Sequence, residues 1–175
     1  PYRAARAAVR LSTMLVLRGE LAPAMDAFAV KFDDILSRYR LLHGEDPFSG
    51  LQVPAEATLR RLQQVLLNLL LRLRERYALL SLRQEQLAVV AADVSGPLRS
   101  CAATLLRLEG QAAESPKAAL ETVVRGMGEP RLEAALAAIS AVREHGRKAA
   151  VAVDALVLDL MELVERLQVR ARELG

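Results

Sequence analysis

The sequence contains no Trp, one Cys and two His among its 175 residues, and only 3% of its residues are aromatic. A single thiol excludes an internal disulfide, and so few aromatic side chains leave little surface on which nucleic-acid bases can stack. A zinc site needs three or four ligands, and neither His43 nor His145 has a second His or Cys at metal-binding spacing. We therefore expect no metal, no cofactor and no general affinity for RNA or DNA.

Long apolar runs and a strong charge of one sign are also missing. The longest stretch without a charged residue, 62–71, covers ten residues, whereas a helix needs about 20 to cross a bilayer. The formal net charge of +3 is too small for a nucleic-acid-binding face. Cys101 lies among small and apolar residues, which is typical of a buried thiol in a reducing compartment. These features predict a cytoplasmic protein without a membrane span.

Leucine and alanine dominate the composition, with 33 and 30 residues, and favour helices over strands. Prolines head several helical patterns, and glycines follow their ends. The sequence predicts an all-α, antiparallel bundle of about six helices in one domain, 1–175, in which 1–53 form an N-terminal helical pair and loop and 54–175 form the main bundle. The predicted helices span 2–18, 23–42, 54–93, 97–109, 116–125 and 130–173, with an interruption at Gly146 left open.

Two predicted helices are long enough to form the spine of the bundle. Leucines recur at steps of three and four from Leu59 to Leu80, and an apolar series at similar steps runs from Val153 to Leu167. A straight helix of 40 residues would be about 60 Å long, which exceeds the width of a bundle of this size. The helix over 54–93 is therefore expected to bend, to break near Ser81 or to extend to a partner subunit. Long apolar helices also favour a homodimer.

Four arginines border the apolar face of the same pattern, namely Arg61, Arg72, Arg76 and Arg83. At 100° per residue they fall within a narrow sector of one helix. A guanidinium binds carboxylate or phosphate through two parallel hydrogen bonds, so these residues are candidates for binding an acidic ligand or partner. The alternative is a solvated face whose aliphatic stems cover the leucines.

A second candidate site is the pair Arg38 and His43, which has the Arg-x4-His spacing of the HEPN superfamily of helical-bundle proteins. In that superfamily such a pair can cleave RNA, with arginine stabilising charge and histidine moving a proton. The alternative is that His43 ends a helix and interacts with its dipole. The adjacent carboxylates Asp33 and Asp34 are interpreted as a solvated turn.

From about residue 28 onward, consecutive landmarks follow one another along the chain, namely Phe32-Asp33-Asp34-Ile35, Tyr39 to Phe48, Leu59-Arg60-Arg61, Leu73 to Tyr77, Leu105 to Gly110 with Pro116, and Leu163 to Leu167. Together they resemble the region that follows the catalytic core in bacterial nucleotidyltransferase-domain proteins of the minimal, MNT-like type. In such proteins the Gly-Glu-Asp-Pro-Phe segment, here 44–48, leaves the catalytic sheet, and the rest forms a helical, HEPN-like domain that binds substrate or a partner.

The resemblance also implies catalytic motifs that this chain lacks. Nucleotidyl transfer in that family needs a Gly-Ser loop and an Asp-x-Asp pair, and neither occurs in residues 1–27. Because these motifs are missing, we expect either that the catalytic half has been cut away or lost or that the protein is a stand-alone accessory module. The chain begins with Pro1 rather than Met, so we also expect that an initiator or a longer upstream segment has been removed. We therefore predict a non-catalytic helical binding module, with a HEPN-like ribonuclease or an amphipathic lipid-surface protein as the alternatives.

Overall fold

A computed structural model describes position 8 and residues 13–145 and 151–175, and every regular element within them is a helix. These helices pack against one another as a bundle, which confirms the predicted fold class. Most of the predicted helix over 2–18 lies outside the described residues, as does Gly146. After a 3₁₀ turn, Arg18–Glu20, the helices are α1 (Leu21–Ala27), α2 (Ala29–Leu36), α3 (Ala55–Leu80), α4 (Gln84–Leu108), α5 (Pro116–Gly126), α6 (Pro130–His145) and α7 (Val153–Arg172).

Helix α4 forms the centre of the bundle, because it contacts α2, α3, α5, α6 and α7. Its inward side chains, such as Leu105, are completely buried. Helices α3 and α7 also contact each other, and they run antiparallel. Gln63 Nε2 donates to the carbonyl of Ala171 at 3.0 Å. Later in α3, Arg74 donates to Glu165, which comes earlier in α7 than Ala171 does. The predicted spine pairing of these two helices is therefore present, with α4 packed against both.

The long helix predicted over 54–93 breaks at Ser81–Arg83, as its length requires. The backbone of Arg83 leaves the helical region with φ −121° and ψ 75°, and its carbonyl then accepts from the first turn of α4. Helices α3 and α4 consequently form a hairpin, and Leu82 at its tip is 97% exposed.

The prediction that Pro97 begins a helix is wrong, because α4 continues through it. Proline has no N–H, so the carbonyl of Asp93 loses its usual helical partner, and local preference favours a break. Val94 and Leu98 on the buried side of the same turn are 7% and 0% exposed. Burial of such side chains stabilises the continuous helix and offsets the local cost of the proline.

Residues before α3 form a second, smaller apolar cluster around Leu21, Met25 and Phe32. The helix predicted over 23–42 is interrupted at Phe28 and ends at Leu36. Beyond it, Tyr39 Oη donates to Asp46 Oδ2 at 2.6 Å, and the backbone N–H of Phe48 donates to Asp46 Oδ1 at 2.9 Å. The bond from Tyr39 is the main reason that the pKa of Asp46 is lowered. This loop therefore folds back, and the ring of Phe48 packs on the cluster.

The interpretation of Asp33 and Asp34 as a solvated turn is wrong, because both carboxylates lie on α2 and are paired. Asp33 Oδ2 accepts from Arg107 Nε of α4 at 3.0 Å, and the two side chains are only 25% and 30% exposed. Asp34 forms an ion pair with Arg38, four residues later in the chain, at 2.5 Å. The Asp33–Arg107 pair ties the N-terminal cluster to the centre of the bundle.

Ion pairs also join the later helices at their surfaces. Arg166 reaches Glu129, just before α6, at 3.0 Å and Glu162 of its own helix at 2.9 Å. Arg131 bonds Glu162 as well, and hydrogen bonds from Arg131 and Arg166 lower the pKa of this carboxyl. Arg170 Nε donates to Glu109 at 2.5 Å, which connects the end of α7 to the end of α4.

The thiol of Cys101 is buried in α4, and burial raises its pKa to about 12. Because the thiolate is the reactive form, we expect the native protein at pH 8 to react with a disulfide reagent at least about tenfold more slowly than a small thiol does. Absorbance of the released thiophenolate measures this rate. The same sample in concentrated guanidinium chloride is the control and should react at the rate of an unprotected cysteine; rapid reaction of the native protein would contradict the buried position.

Candidate functional site

A groove of about 470 Å³ lies between α3 and α4, along the hairpin that the two helices form. We call it the α3/α4 groove. Its rim carries the polar side chains Arg72, Arg76, Gln86 and Asp93. Its apolar lining comes from both helices, namely Leu69, Leu73, Leu80, Val89, Val90, Val94 and Pro97.

Arg72 and Arg76 are both exposed, and they lie one helical turn apart on the same side of α3. Within the described parts of the chain, neither makes a hydrogen bond or an ion pair. Arg74 lies between them in sequence but points to the other side of the helix, where it binds Glu165 at 2.6 Å. The two groove arginines are therefore not used to join helices, and both remain available to an anion.

The other two arginines of the predicted stripe lie elsewhere. Arg61 donates to Gln64 Oε1 at 2.7 Å, and its guanidinium carbon is 5.8 Å from the centre of the Phe28 ring. It lines a separate cavity of about 240 Å³ together with Phe28. Arg83 lies at the start of α4, next to the hairpin tip. The structure thus brings Arg72 and Arg76 together in one groove and places Arg61 and Arg83 outside it.

Exposed apolar side chains continue from the groove toward the hairpin tip. Val89 in the groove is 59% exposed, Leu79 is 67% exposed and Leu82 is 97% exposed. Exposed apolar side chains here lie near two unpaired arginines. Such a surface offers both apolar area and charged groups, which protein interfaces use together. A lone anion would use only the arginines.

The alternative pair, Arg38 and His43, lies in the segment that follows α2. The guanidinium of Arg38 is engaged by Asp34, and His43 is exposed in the segment between α2 and α3. Because α2 ends at Leu36, His43 is not at the end of a helix as one interpretation required. RNA cleavage by this pair stays a prediction.

Two groove residues, Gln86 and Asp93, were not identified from the sequence. Periodicity indicates which side of α4 is apolar, but the position at which α3 crosses it depends on the turn at Ser81–Arg83. The only available signal was the predicted break near Ser81, which implies a hairpin. Identifying the facing residues also needed Pro97 to be placed inside α4.

Within the described residues, His, Cys, Asp and Glu form no cluster of three that is able to hold a metal ion. Across the same part of the chain, no helix combines the length and apolar character that crossing a membrane requires. In comparisons with protein families, curated proteins and solved structures, nothing matches this chain.

Proposed function

We propose that this protein is a non-catalytic helical binding module whose α3/α4 groove binds an acidic, amphipathic segment of a protein partner. Carboxylates of the segment bind Arg72 and Arg76, and its apolar side chains cover the lining of the groove. A guanidinium binds a carboxylate with two parallel hydrogen bonds, so two arginines one turn apart select a segment with suitably spaced acidic residues.

The observation that carries this proposal is the position of two unpaired arginines directly beside an apolar groove. Elsewhere on the surface, Arg107, Arg166 and Arg170 bind carboxylates of other elements, and so hold the bundle together. Arg72 and Arg76 have no such role among the described contacts. The apolar lining makes a protein segment a better fit than a small anion, because it offers area to bury as well as charge.

Three further predictions from the sequence belong to the same proposal. The module resembles the accessory region of MNT-like nucleotidyltransferase proteins, so a catalytic domain of that type is one candidate partner. A second copy of this chain is another, and sedimentation velocity would detect such a homodimer. A cytoplasmic location is likewise proposed from the buried, unpaired thiol.

The proposal predicts that exchanging the two groove arginines for glutamate reverses which peptide, acidic or basic, the protein binds more tightly. A fluorescent helical peptide with leucines at steps of three and four, flanked by glutamates, should bind the wild type at least about tenfold more tightly than its lysine counterpart. Arg72→Glu/Arg76→Glu should lose the acidic peptide and favour the lysine peptide, because like charges now face each other. Fluorescence anisotropy measures both affinities.

The matched control is Arg40→Glu/Arg125→Glu, which makes the same change in net charge at two exposed arginines outside the groove. This variant should keep the wild-type preference, and circular dichroism should show that both variants fold. Equal binding of the two peptides by the wild type, or the same loss in both variants, would contradict the proposal.

A further inference from the structure

Three exposed residues of α4 separate the α3/α4 groove from a second hollow. Gln86, Val89 and Asp93 line both the groove and a cavity of about 700 Å³ that lies between α4 and α6. Steps of three and four place these residues on one side of the helix, and each of them is exposed. We call them the α4 ridge. A segment that lies in the groove therefore contacts the α4 ridge on one flank and α3 on the other.

The two walls of the groove carry charges of opposite sign. Arg72 and Arg76 make the α3 wall cationic, and Asp93 makes the α4 ridge anionic. Arg72 and Asp93 are separated from Leu82 at the hairpin tip by nearly the same number of residues, so they lie at about the same depth along the groove. The α3 wall is thus suited to carboxylates, and the α4 ridge is suited to an ammonium or guanidinium group.

These opposite charges do not neutralise each other by direct contact. Among the described residues, the carboxylate of Asp93 makes no hydrogen bond and no ion pair, and the two arginines of the α3 wall are unpaired as well. Other carboxylates of the bundle have structural partners, since Glu165 and Asp33 pair with arginines of neighbouring helices. Asp93 has no such role, so it is available to a cationic group of a partner.

The groove has the length and the lining that suit a helix. Its apolar side chains extend from Leu69 to Leu80 on α3 and from Val89 to Pro97 on α4. At about 1.5 Å per residue, the α3 wall is about 16 Å long, which corresponds to about three turns of a helix. Amphipathic helices bind in such grooves through apolar side chains spaced three and four residues apart. The residues on either flank of that apolar stripe then face the two charged walls.

We propose that the partner segment is an amphipathic helix with acidic residues along one flank of its apolar stripe and basic residues along the other. The acidic flank lies over Arg72 and Arg76, and the basic flank lies over Asp93. A helix with carboxylates on both flanks still binds the two arginines, but it meets repulsion from Asp93 and binds less tightly. This inference rests on the proposed function, because it specifies the chemistry of the partner that binds the same groove.

Two peptides of identical composition test this arrangement of charge. Both carry leucines at positions a and d of three heptads. The segregated peptide has glutamate at every g and lysine at every e, whereas the mixed peptide alternates the two residues within each flank. Circular dichroism should show equal helicity, so that a difference in affinity reports only where the charges lie. By fluorescence anisotropy, the wild type should bind the segregated peptide at least about fivefold more tightly than the mixed peptide.

Asp93→Lys should abolish this preference, because a lysine then faces the basic flank of the segregated peptide. The variant should instead bind the acidic peptide described above, which has glutamates on both flanks, at least about fivefold more tightly than the segregated peptide. Glu114→Lys is the matched control, since it makes the same change in net charge at an exposed carboxylate between α4 and α5. This control should keep the preference of the wild type, and circular dichroism should show that both variants fold.

The results separate this inference from the proposed function. If the wild type binds the acidic peptide through Arg72 and Arg76 but binds the segregated and mixed peptides equally, the inference is overturned and the proposed function stands. The same peptide preference in Asp93→Lys and Glu114→Lys would overturn the inference in the same way. If the wild type binds none of the three peptides, both the inference and the proposed function are overturned.

Discussion

Replacing Leu105 by alanine is expected to lower the free energy of unfolding by about 3 to 5 kcal/mol. Leu105 is completely buried in α4, the helix that contacts five of the other six. The loss combines the transfer free energy of the removed carbons with the cavity that remains, because helices packed on several sides cannot all move in to fill it. Urea unfolding followed by circular dichroism at 222 nm measures the change.

Leu82→Ala is the matched control, since it removes the same atoms from a side chain that is 97% exposed at the hairpin tip. This variant should change the free energy of unfolding by less than about 0.5 kcal/mol. If the two substitutions have similar effects, α4 is not the central helix of the bundle. Intermediate losses of the free energy of unfolding in both variants would also contradict a central position of α4.

The double substitution Gly96→Ala/Pro97→Ala is expected to raise the free energy of unfolding by about 2 kcal/mol or more. In a helix interior, proline is about 3 kcal/mol and glycine about 1 kcal/mol less favourable than alanine. Both residues are exposed within α4, and a Cβ placed on Gly96 meets no atom within 4 Å. The new N–H at position 97 can also bond the carbonyl of Asp93. Part of the full difference is lost, because the backbone has already adjusted to Pro97.

Gly110→Ala also replaces a glycine by alanine, but we expect it to lower the free energy of unfolding. Gly110 follows the end of α4 with φ +75°, a conformation that a side chain disfavours, so alanine should destabilise the protein by about 1 kcal/mol. Thermal and urea unfolding of both variants give the comparison. A destabilised Gly96→Ala/Pro97→Ala variant would show that α4 needs its local irregularity for packing.

That irregularity lies beside the groove for which we propose a function. Pro97 is one of the residues that line the α3/α4 groove. Natural sequences commonly depart from local preference at binding sites, where the departure has a use that stability alone does not explain. The stabilised variant should therefore be assayed for binding of the acidic peptide.

Local signals in the sequence located several helix ends correctly. Ser115 followed by Pro116 predicts the start of α5, and the Ser115 hydroxyl does accept the backbone N–H of Ala118 at 3.1 Å. The break near Ser81 follows from length, because a bundle of this size does not accommodate a straight helix of 40 residues. The first signal lies within a few residues, and the second depends only on the length of one helix.

Local signals failed where a tertiary contact outweighed them. Pro97 indicated a helix start, yet burial on the opposite side of the turn keeps α4 continuous. Asp33 looked like part of a solvated turn, but its partner Arg107 is 74 positions away in the chain. No pattern within a short window contains information about such a pair.

For the candidate site residues too, the sequence predicted some positions and the tertiary structure determined others. Periodicity placed Arg72 and Arg76 on one side of their helix, and the structure places them in the same groove. Arg61 shares that sector in sequence, but the approach of Phe28 gives it a different neighbour. Gln86 and Asp93 have no distinguishing signal in the sequence, because their place in the groove depends on how α3 and α4 pack.

By itself, the sequence determined that the chain is helical, which faces of its helices are apolar and where several of them begin and end, because these depend on spacing and on backbone preferences within a few residues. The tertiary structure decided that α4 is the central helix, that two of the four stripe arginines share a groove, and that Asp33 pairs with Arg107. Those outcomes depend on how separate helices cross, and crossing is set by side-chain packing between residues that are far apart in the chain.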